Sequence, residues 1–181
     1  MIRVRWLGRG GQGSFTASRL LGKAASLFEG KYALAFPSFG PERRGAPVLA
    51  FTRIDNKKIT DRSEISEFEY LVVMDSTLLN ESSIEGLAVG GLIVLNSASI
   101  ELNPVLKGLN VITIDASSLA LEILGLQITN TAMLGALVAA SGVVSLESVL
   151  NSIDDELKPG IAEKNKKIVR KAYSMVRGRS C

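Results

Sequence analysis

The chain has 181 residues, of which 46% are hydrophobic and 22% are charged, so its length and composition are those of one globular domain. Its 21 basic and 18 acidic residues leave a net charge of +3, too small by itself to indicate a nucleic-acid or membrane partner. There is no histidine, and Cys181 is the single cysteine. These absences exclude histidine-based acid–base catalysis, an internal disulfide and a cysteine-ligated zinc or iron–sulfur centre within this chain.

We therefore expect this chain alone to bind no metal and no cofactor. The single cysteine fits a reducing compartment, which predicts a cytoplasmic protein. The start, "MIRVRWLG", lacks the charged segment and apolar stretch of a signal peptide. The sequence contains no run of 18 apolar residues, so no membrane span is predicted.

The first 30 residues follow the pattern of a strand, a glycine loop and a helix. "IRVRWLG" alternates apolar and basic residues and predicts a strand that ends at Gly8. Apolar residues then recur at helical spacing in "SFTASRLLGKAASLFEG", and Gly30 is placed to end that helix. Between them lies "GRGGQG", residues 8–13, here called the glycine loop.

The glycine loop has three interpretations. Gly8, Gly10 and Gly13 fit G-x-G-x-x-G between a strand and a helix, which is typical of a dinucleotide site. That site also needs a carboxylate after the second strand, and "KYALAFPSF" has none, so this interpretation is disfavoured. The loop is otherwise a tight turn, or it presents Arg9, Gln12 and its amides to a partner chain or to an anionic group held elsewhere. The residues alone do not separate these two.

The middle of the chain predicts a sheet with helical connections. The apolar runs "YLVVMD", "GLIVLN" and "NVITID" end in Asp75, Asn96 and Asp115, and such runs are typical of parallel strands covered on both faces. "SSIEGLA", "PVLKG" and "ASSLALEIL" are candidate crossover helices. The turn pair Asp55-Asn56 between "VLAFTRI" and "KKIT" predicts a hairpin.

The last third of the chain predicts helices. "TAMLGALVAASGVV" is apolar on all sides, which is typical of a buried or an interface helix. Two amphipathic helices are expected around 145–157 and 160–177. Together, the elements predict a three-layer α/β/α fold with a mixed, mainly parallel sheet, in a single domain over residues 1–181.

The segment "FPSFGPERRGAPV", residues 36–48, has the chemistry of an interface and is here called the proline loop. Its prolines lower the entropy cost of ordering, its aromatic residues supply contact area, and its arginines bind carboxylates or phosphates with two donors at once. A purely structural loop remains the alternative. The eight basic residues among the last 24 positions fit a solvated helix face, or else contact with an acidic partner or RNA.

Several segments together resemble a known family. "GRGGQG", "YALAFPSFGPERRGAPVLAFTRID", "YLVVMD" and "TNTAMLGALV" are similar to the gamma subunit of the pyruvate:ferredoxin oxidoreductase group of 2-oxoacid:acceptor oxidoreductases. The resemblance covers about residues 2–144 and is closer to the pyruvate and branched-chain 2-oxoacid branches than to the 2-oxoglutarate branch. One departure is Leu7, where members often carry histidine.

The resemblance implies a complex of alpha, beta, gamma and delta subunits that converts pyruvate and CoA to acetyl-CoA and CO2 and reduces ferredoxin. It places thiamine diphosphate, Mg²⁺ and 4Fe–4S clusters on the other subunits, and it gives this chain an accessory role. It also implies interface roles for two sets of residues. They are the glycine loop (Gly8, Arg9, Gly10, Gly11, Gln12, Gly13), with a possible phosphate contact, and ten residues of the proline loop (Phe36, Pro37, Ser38, Phe39, Gly40, Pro41, Glu42, Arg43, Arg44, Gly45).

Among these residues, Arg9, Arg43 and Arg44 are the expected charge contacts, and Phe36 and Phe39 are the expected apolar anchors. Two hypotheses from other classes compete with this one. A free-standing Rossmann-type enzyme would bind NAD(H) or FAD without partners, and a basic interaction module would bind RNA with a steep salt dependence.

Overall fold

The computed structural model describes residues 1–38, 45–99 and 103–178. Its centre is a six-stranded sheet in the order β2-β3-β1-β4-β5-β6. Only β3 runs against the other strands, so the sheet is mixed and mainly parallel, as predicted. The strands are β1 (Ile2–Arg9), β2 (Tyr32–Pro37), β3 (Pro47–Asp55), β4 (Phe68–Val73), β5 (Leu87–Asn96) and β6 (Asn110–Ile114).

The antiparallel pairing comes from β3, and the predicted hairpin at Asp55-Asn56 is wrong. β3 inserts between β1 and β2 and pairs with both over its length. Residues 57–60, "KKIT", form no strand, and Lys57 and Lys58 are exposed. By contrast, Ala50 to Ile54 are buried, so β3 has apolar residues to bury in the middle of a sheet and "KKIT" does not.

Helices lie on both faces of the sheet, as predicted, but unequally. The long helices all pack on one face, around a core that includes Trp6, Leu20 and Leu134. The other face, which includes Phe51 and Phe68, is covered by α2, two single 3₁₀ turns and the segment before β4. The helices are α1 (Ser14–Phe28), α2 (Glu81–Ile84), α3 (Ala116–Leu124), α4 (Asn130–Ser141), α5 (Leu146–Glu156) and α6 (Pro159–Arg177).

The helix predicted to be apolar all round is α4, and it is enclosed. Every residue from Asn130 to Ala139 is buried. At Gly135 the crossing with α6 is so close that an added Cβ would lie 2.6 Å from the carbonyl oxygen of Val169. The two amphipathic helices at the end of the chain are confirmed as α5 and α6, with Pro159 at the start of α6.

Candidate functional site

The glycine loop lies at the point where the sheet changes its winding direction. From β1 the chain passes through α1 to β2 on one side, whereas β4, β5 and β6 follow one another on the other side. The carboxyl ends of β1 and β4 are neighbours there, since Leu7 is in register with Val73. In open α/β sheets this is the usual position of a ligand or functional site.

Two glycines of the loop are required by close packing. A Cβ on Gly8 would lie 2.5 Å from the Ser14 hydroxyl oxygen. Gly13 has a φ of +81°, which disfavours other residues, and its Cβ would lie 2.5 Å from the side-chain nitrogen of Asn130. The glycines therefore let α1 start directly against the sheet and against α4. The role of Asn130 was not predicted, although "TNTAMLGALV" was among the segments of the resemblance.

Much of the loop's hydrogen-bonding capacity is used inside the chain. The Arg9 amide donates to Gln12 Oε1 at 2.7 Å, the Gln12 amide donates to the Arg9 carbonyl at 3.0 Å, and the Gly10 amide donates to the Ala46 carbonyl at 3.0 Å. A phosphate loop needs such amides free to point at the anion. The geometry therefore favours the tight-turn interpretation over a preformed phosphate cradle.

Arg9 ties three segments together at this edge. Its Nε donates to Asp75 Oδ2 at 2.7 Å, one terminal nitrogen donates to the Gly45 carbonyl at 3.0 Å, and the other donates to the Thr77 hydroxyl at 2.7 Å. The side chain of Arg9 is 36% exposed and that of Asp75 is 19% exposed. The Arg9 side chain therefore holds the three segments together, while part of its surface faces solvent; we call this set of contacts the Arg9 clamp. These contacts within the chain were not predicted from the sequence.

Asp75 is held in its charged form by these contacts. Burial raises the pKa of its carboxyl, but hydrogen bonds from Thr77 and Arg9 outweigh burial, so the pKa lies below its ordinary value. Asp75 Oδ1 accepts from the Thr77 amide at 3.0 Å and caps the short turn that follows β4. The carboxylate thus positions Arg9 and the turn.

The structure brings the glycine loop and both ends of the proline loop to the same edge. Arg9 is in register with Pro47, and the Ser38 amide donates to the Leu49 carbonyl at 2.8 Å. Phe36 is half-buried and packs in its own chain, with its ring centroid 5.3 Å from that of Phe51. The predicted interface residues Phe39, Gly40, Pro41, Glu42, Arg43 and Arg44 lie outside the described residues.

The topology weakens the dinucleotide interpretation further. In a dinucleotide fold the second strand lies beside the first, so that its terminal carboxylate reaches the ribose. Here β3 separates β1 from β2, and β2 ends at Pro37 without a carboxylate. The acidic residue that lies next to the loop is Asp75, and it is bound to Arg9.

The basic residues of α6 are partly neutralised by the rest of the chain. Lys166 pairs with Asp154 and Glu163, and Lys171 pairs with Glu122.

In the described ranges, no group of three metal-binding side chains occurs, and no helix is long and apolar enough to cross a membrane.

Comparison with known proteins assigns the family. The sequence model of the pyruvate ferredoxin/flavodoxin oxidoreductase family matches residues 3–175. The chain belongs to this family. The match extends through α5 and most of α6, where the resemblance seen in the sequence alone was weakest.

Individual members of the pyruvate ferredoxin/flavodoxin oxidoreductase family match nearly the full chain. Pyruvate synthase subunit PorC of Methanocaldococcus jannaschii is 49% identical over 175 residues, with 96% of each chain covered. The common gamma subunit of the pyruvate and ketoisovalerate oxidoreductases of Pyrococcus furiosus is 48% identical, again with 96% coverage of both. The crystal structure of pyruvate oxidoreductase subunit PORC from Thermotoga maritima superposes with a TM-score of 0.83 at 38% identity, covering 96% and 95% of the two chains.

These findings confirm the family and the fold that the sequence predicted. The departure at Leu7 is also explained locally. Leu7 is 5% exposed and belongs to the apolar core on the face opposite the long helices, and its carbonyl accepts from the Met74 amide at 2.8 Å. Leucine at this position therefore stabilises the strand beneath the glycine loop.

Proposed function

We propose that this chain is the gamma subunit of a 2-oxoacid:ferredoxin oxidoreductase that acts on pyruvate. The observation that carries the proposal is the match, over 96% of both chains, to subunits named for pyruvate synthase and for pyruvate oxidoreductases. The complex decarboxylates pyruvate, transfers the acetyl group to CoA and passes the electrons to ferredoxin. We place this chain with alpha, beta and delta subunits in the cytoplasm.

The choice of 2-oxoacid belongs to the other subunits in this proposal. The Pyrococcus furiosus relative is named as common to a pyruvate and a ketoisovalerate oxidoreductase. A gamma chain shared between two such enzymes does not itself select between a methyl group and a branched side chain. We therefore infer pyruvate from the names of the relatives and not from a pocket in this chain.

The redox chemistry is likewise assigned to partner chains. Iron–sulfur clusters need cysteine thiolates, and this chain has Cys181 alone. The 4Fe–4S clusters are therefore placed on the other subunits, and this proposal also places thiamine diphosphate and Mg²⁺ there, as the family resemblance implies. This chain contributes a shaped surface, and in this proposal the edge that carries the glycine loop faces those subunits.

The Arg9 clamp supports an interface role for the proline loop. Ser38, at one end of the part that carries the arginines, is bound to Leu49 of β3, and Gly45, at the other end, is bound to Arg9. Both of these residues are therefore fixed to the sheet edge. Their guanidinium groups suit carboxylates of a partner or phosphates of CoA.

The test is the double substitution R43A/R44A in the complete reconstituted complex. We expect assembly or pyruvate-dependent ferredoxin reduction to fall by about tenfold or more, as for arginines at interface centres. The matched control is K167A/R170A, which removes the same number of charges from exposed positions of α6 and should change neither readout. Wild-type assembly and wild-type turnover of R43A/R44A would remove the proposed role of these arginines.

A further inference from the structure

A groove on the helical side of the molecule is not used by the site described above. It lies between the start of α4, the turn after α3 and the start of α6, and it encloses about 390 Å³. Its lining is mainly apolar, with Leu126, Ile128 and Ile161 among its residues, and contains no carboxylate.

Large apolar side chains are exposed around this groove. Leu126 is 57% exposed, Ile128 is 38% exposed and Ile161 is 54% exposed. They are three of the nine large hydrophobic residues that are exposed among the described residues, and they line one groove. Clustered exposed apolar surface rimmed by polar groups is typical of a protein interface.

The groove also has a positive character. Lys164 is its one charged lining residue and has no ion pair with any described residue, whereas Lys166 and Lys171 on the same helix are paired. The helices α1, α4 and α6 all begin at the groove, and none has a side-chain cap or an acidic residue in its first turn. By contrast, α3 and α5 are capped by Asp115 and Ser145. Uncapped helix starts add to the attraction that Lys164 exerts on a carboxylate.

Side-chain hydrogen bonds join α4 and α6 at the floor of the groove. The Thr131 hydroxyl donates to Asn165 Oδ1 at 2.8 Å, and Asn165 Nδ2 donates to the Ile161 carbonyl at 2.8 Å. Thr131 is 1% exposed and Asn165 is 7% exposed, so the bond between these two side chains is shielded from water. A partner therefore meets a groove that needs little ordering, which lowers the entropy cost of binding.

The groove and the glycine loop share Asn130 as a common wall residue. Asn130 packs against Gly13 of the glycine loop and also lines the groove. The groove therefore lies next to the glycine loop, which the proposed function turns toward the other subunits.

We propose that the groove receives a short acidic segment of another subunit of the same oxidoreductase, in which an aliphatic side chain is flanked by aspartate or glutamate. The aliphatic side chain packs between Ile128 and Ile161, and a carboxylate pairs with Lys164. This inference rests on the proposed function, since it takes the occupant from the same complex.

The test measures the affinity of the full chain, labelled at Cys181, for the other subunits purified together without it. We expect I128D and K164E each to weaken binding by about tenfold or more, because each puts a negative charge where an acidic segment docks. The controls are V89D and K167E, which change exposed residues outside the groove and should bind within twofold of wild type. Thermal unfolding of all four variants should match wild type, since every substituted residue is exposed.

The outcomes separate the two proposals. If wild type binds the other subunits and I128D and K164E bind equally well, the groove inference is wrong and the proposed function stands. If wild type does not bind them, both are wrong. A dimer of the isolated chain in analytical ultracentrifugation that I128D dissociates would assign the groove to a second copy and overturn the inference.

Discussion

Substituting Gly13 with alanine tests how tightly the glycine loop is packed against α4. Gly13 precedes α1 with a φ of +81°, and its added Cβ would lie 2.5 Å from Asn130 Nδ2 and 3.1 Å from Asn130 Cγ. Asn130 is 7% exposed, so its side chain has little room to move away. Gly11 is the matched control because its φ is +95° but its Cβ would meet nothing within 4 Å.

The two substitutions differ in whether the added methyl group meets a neighbouring atom: it does at Gly13 and does not at Gly11. A left-handed conformation costs an alanine about 1–2 kcal/mol, and this cost applies at both positions. Overpacking a buried contact adds about 1–3 kcal/mol at Gly13 alone. We therefore expect G11A to lower the free energy of unfolding by about 1–2 kcal/mol and G13A to lower it by about 2–5 kcal/mol. For a chain of this size, the melting temperature falls by about 2–4 °C per kcal/mol.

Urea unfolding followed by circular dichroism measures both free energies, and N130A closes a double-mutant cycle. Because N130A removes the atoms that clash, G13A should cost about 1–2 kcal/mol less in the N130A background than in wild type. Equal costs for G11A and G13A would refute the close approach of the glycine loop to α4. Additive effects of G13A and N130A would refute it as well.

Two further predictions concern the Arg9 clamp and the crossing of α4 with α6. Because the pKa of Asp75 is lowered in the folded protein, its stabilising effect is present at neutral pH and is lost as the pH falls through that pKa. D75N should therefore be about 1 kcal/mol less stable than wild type in urea at pH 7. The difference should shrink as the pH falls through the lowered pKa of Asp75, and a difference that grew in acid would contradict this. G135A should lower the stability by about 1–2 kcal/mol, because contact with the Val169 carbonyl outweighs the better helix propensity of alanine. G160A, which meets open space, should be neutral or stabilising, and equal effects of the two would exclude the close crossing.

Local patterns in the sequence predicted much of the fold. The order strand, glycine loop, helix was visible because apolar spacing and glycine act over a few residues. The apolar runs that end in Asp75, Asn96 and Asp115 became β4, β5 and β6 for the same reason. The all-apolar helix was predicted to be a buried or an interface helix, and α4 is buried within this chain.

Contacts between distant segments could not be predicted in this way. The insertion of β3 between β1 and β2 depends on the whole sheet, and a turn-forming pair at Asp55-Asn56 suggested a hairpin instead. Arg9 and Asp75 are 66 residues apart, so their ion pair leaves no periodic signal. The glycine pattern alone therefore kept a nucleotide interpretation open that the topology disfavours.

The central claim is that this chain works as the gamma subunit of a pyruvate:ferredoxin oxidoreductase. Affinity purification of the tagged full-length chain from its native cells, followed by mass spectrometry and an assay of pyruvate-dependent ferredoxin reduction, tests it most directly. We predict that thiamine-binding and cysteine-rich iron–sulfur subunits copurify in constant ratio and that the purified material reduces ferredoxin with pyruvate and CoA. Recovery of the chain without those subunits and without this activity would contradict the claim.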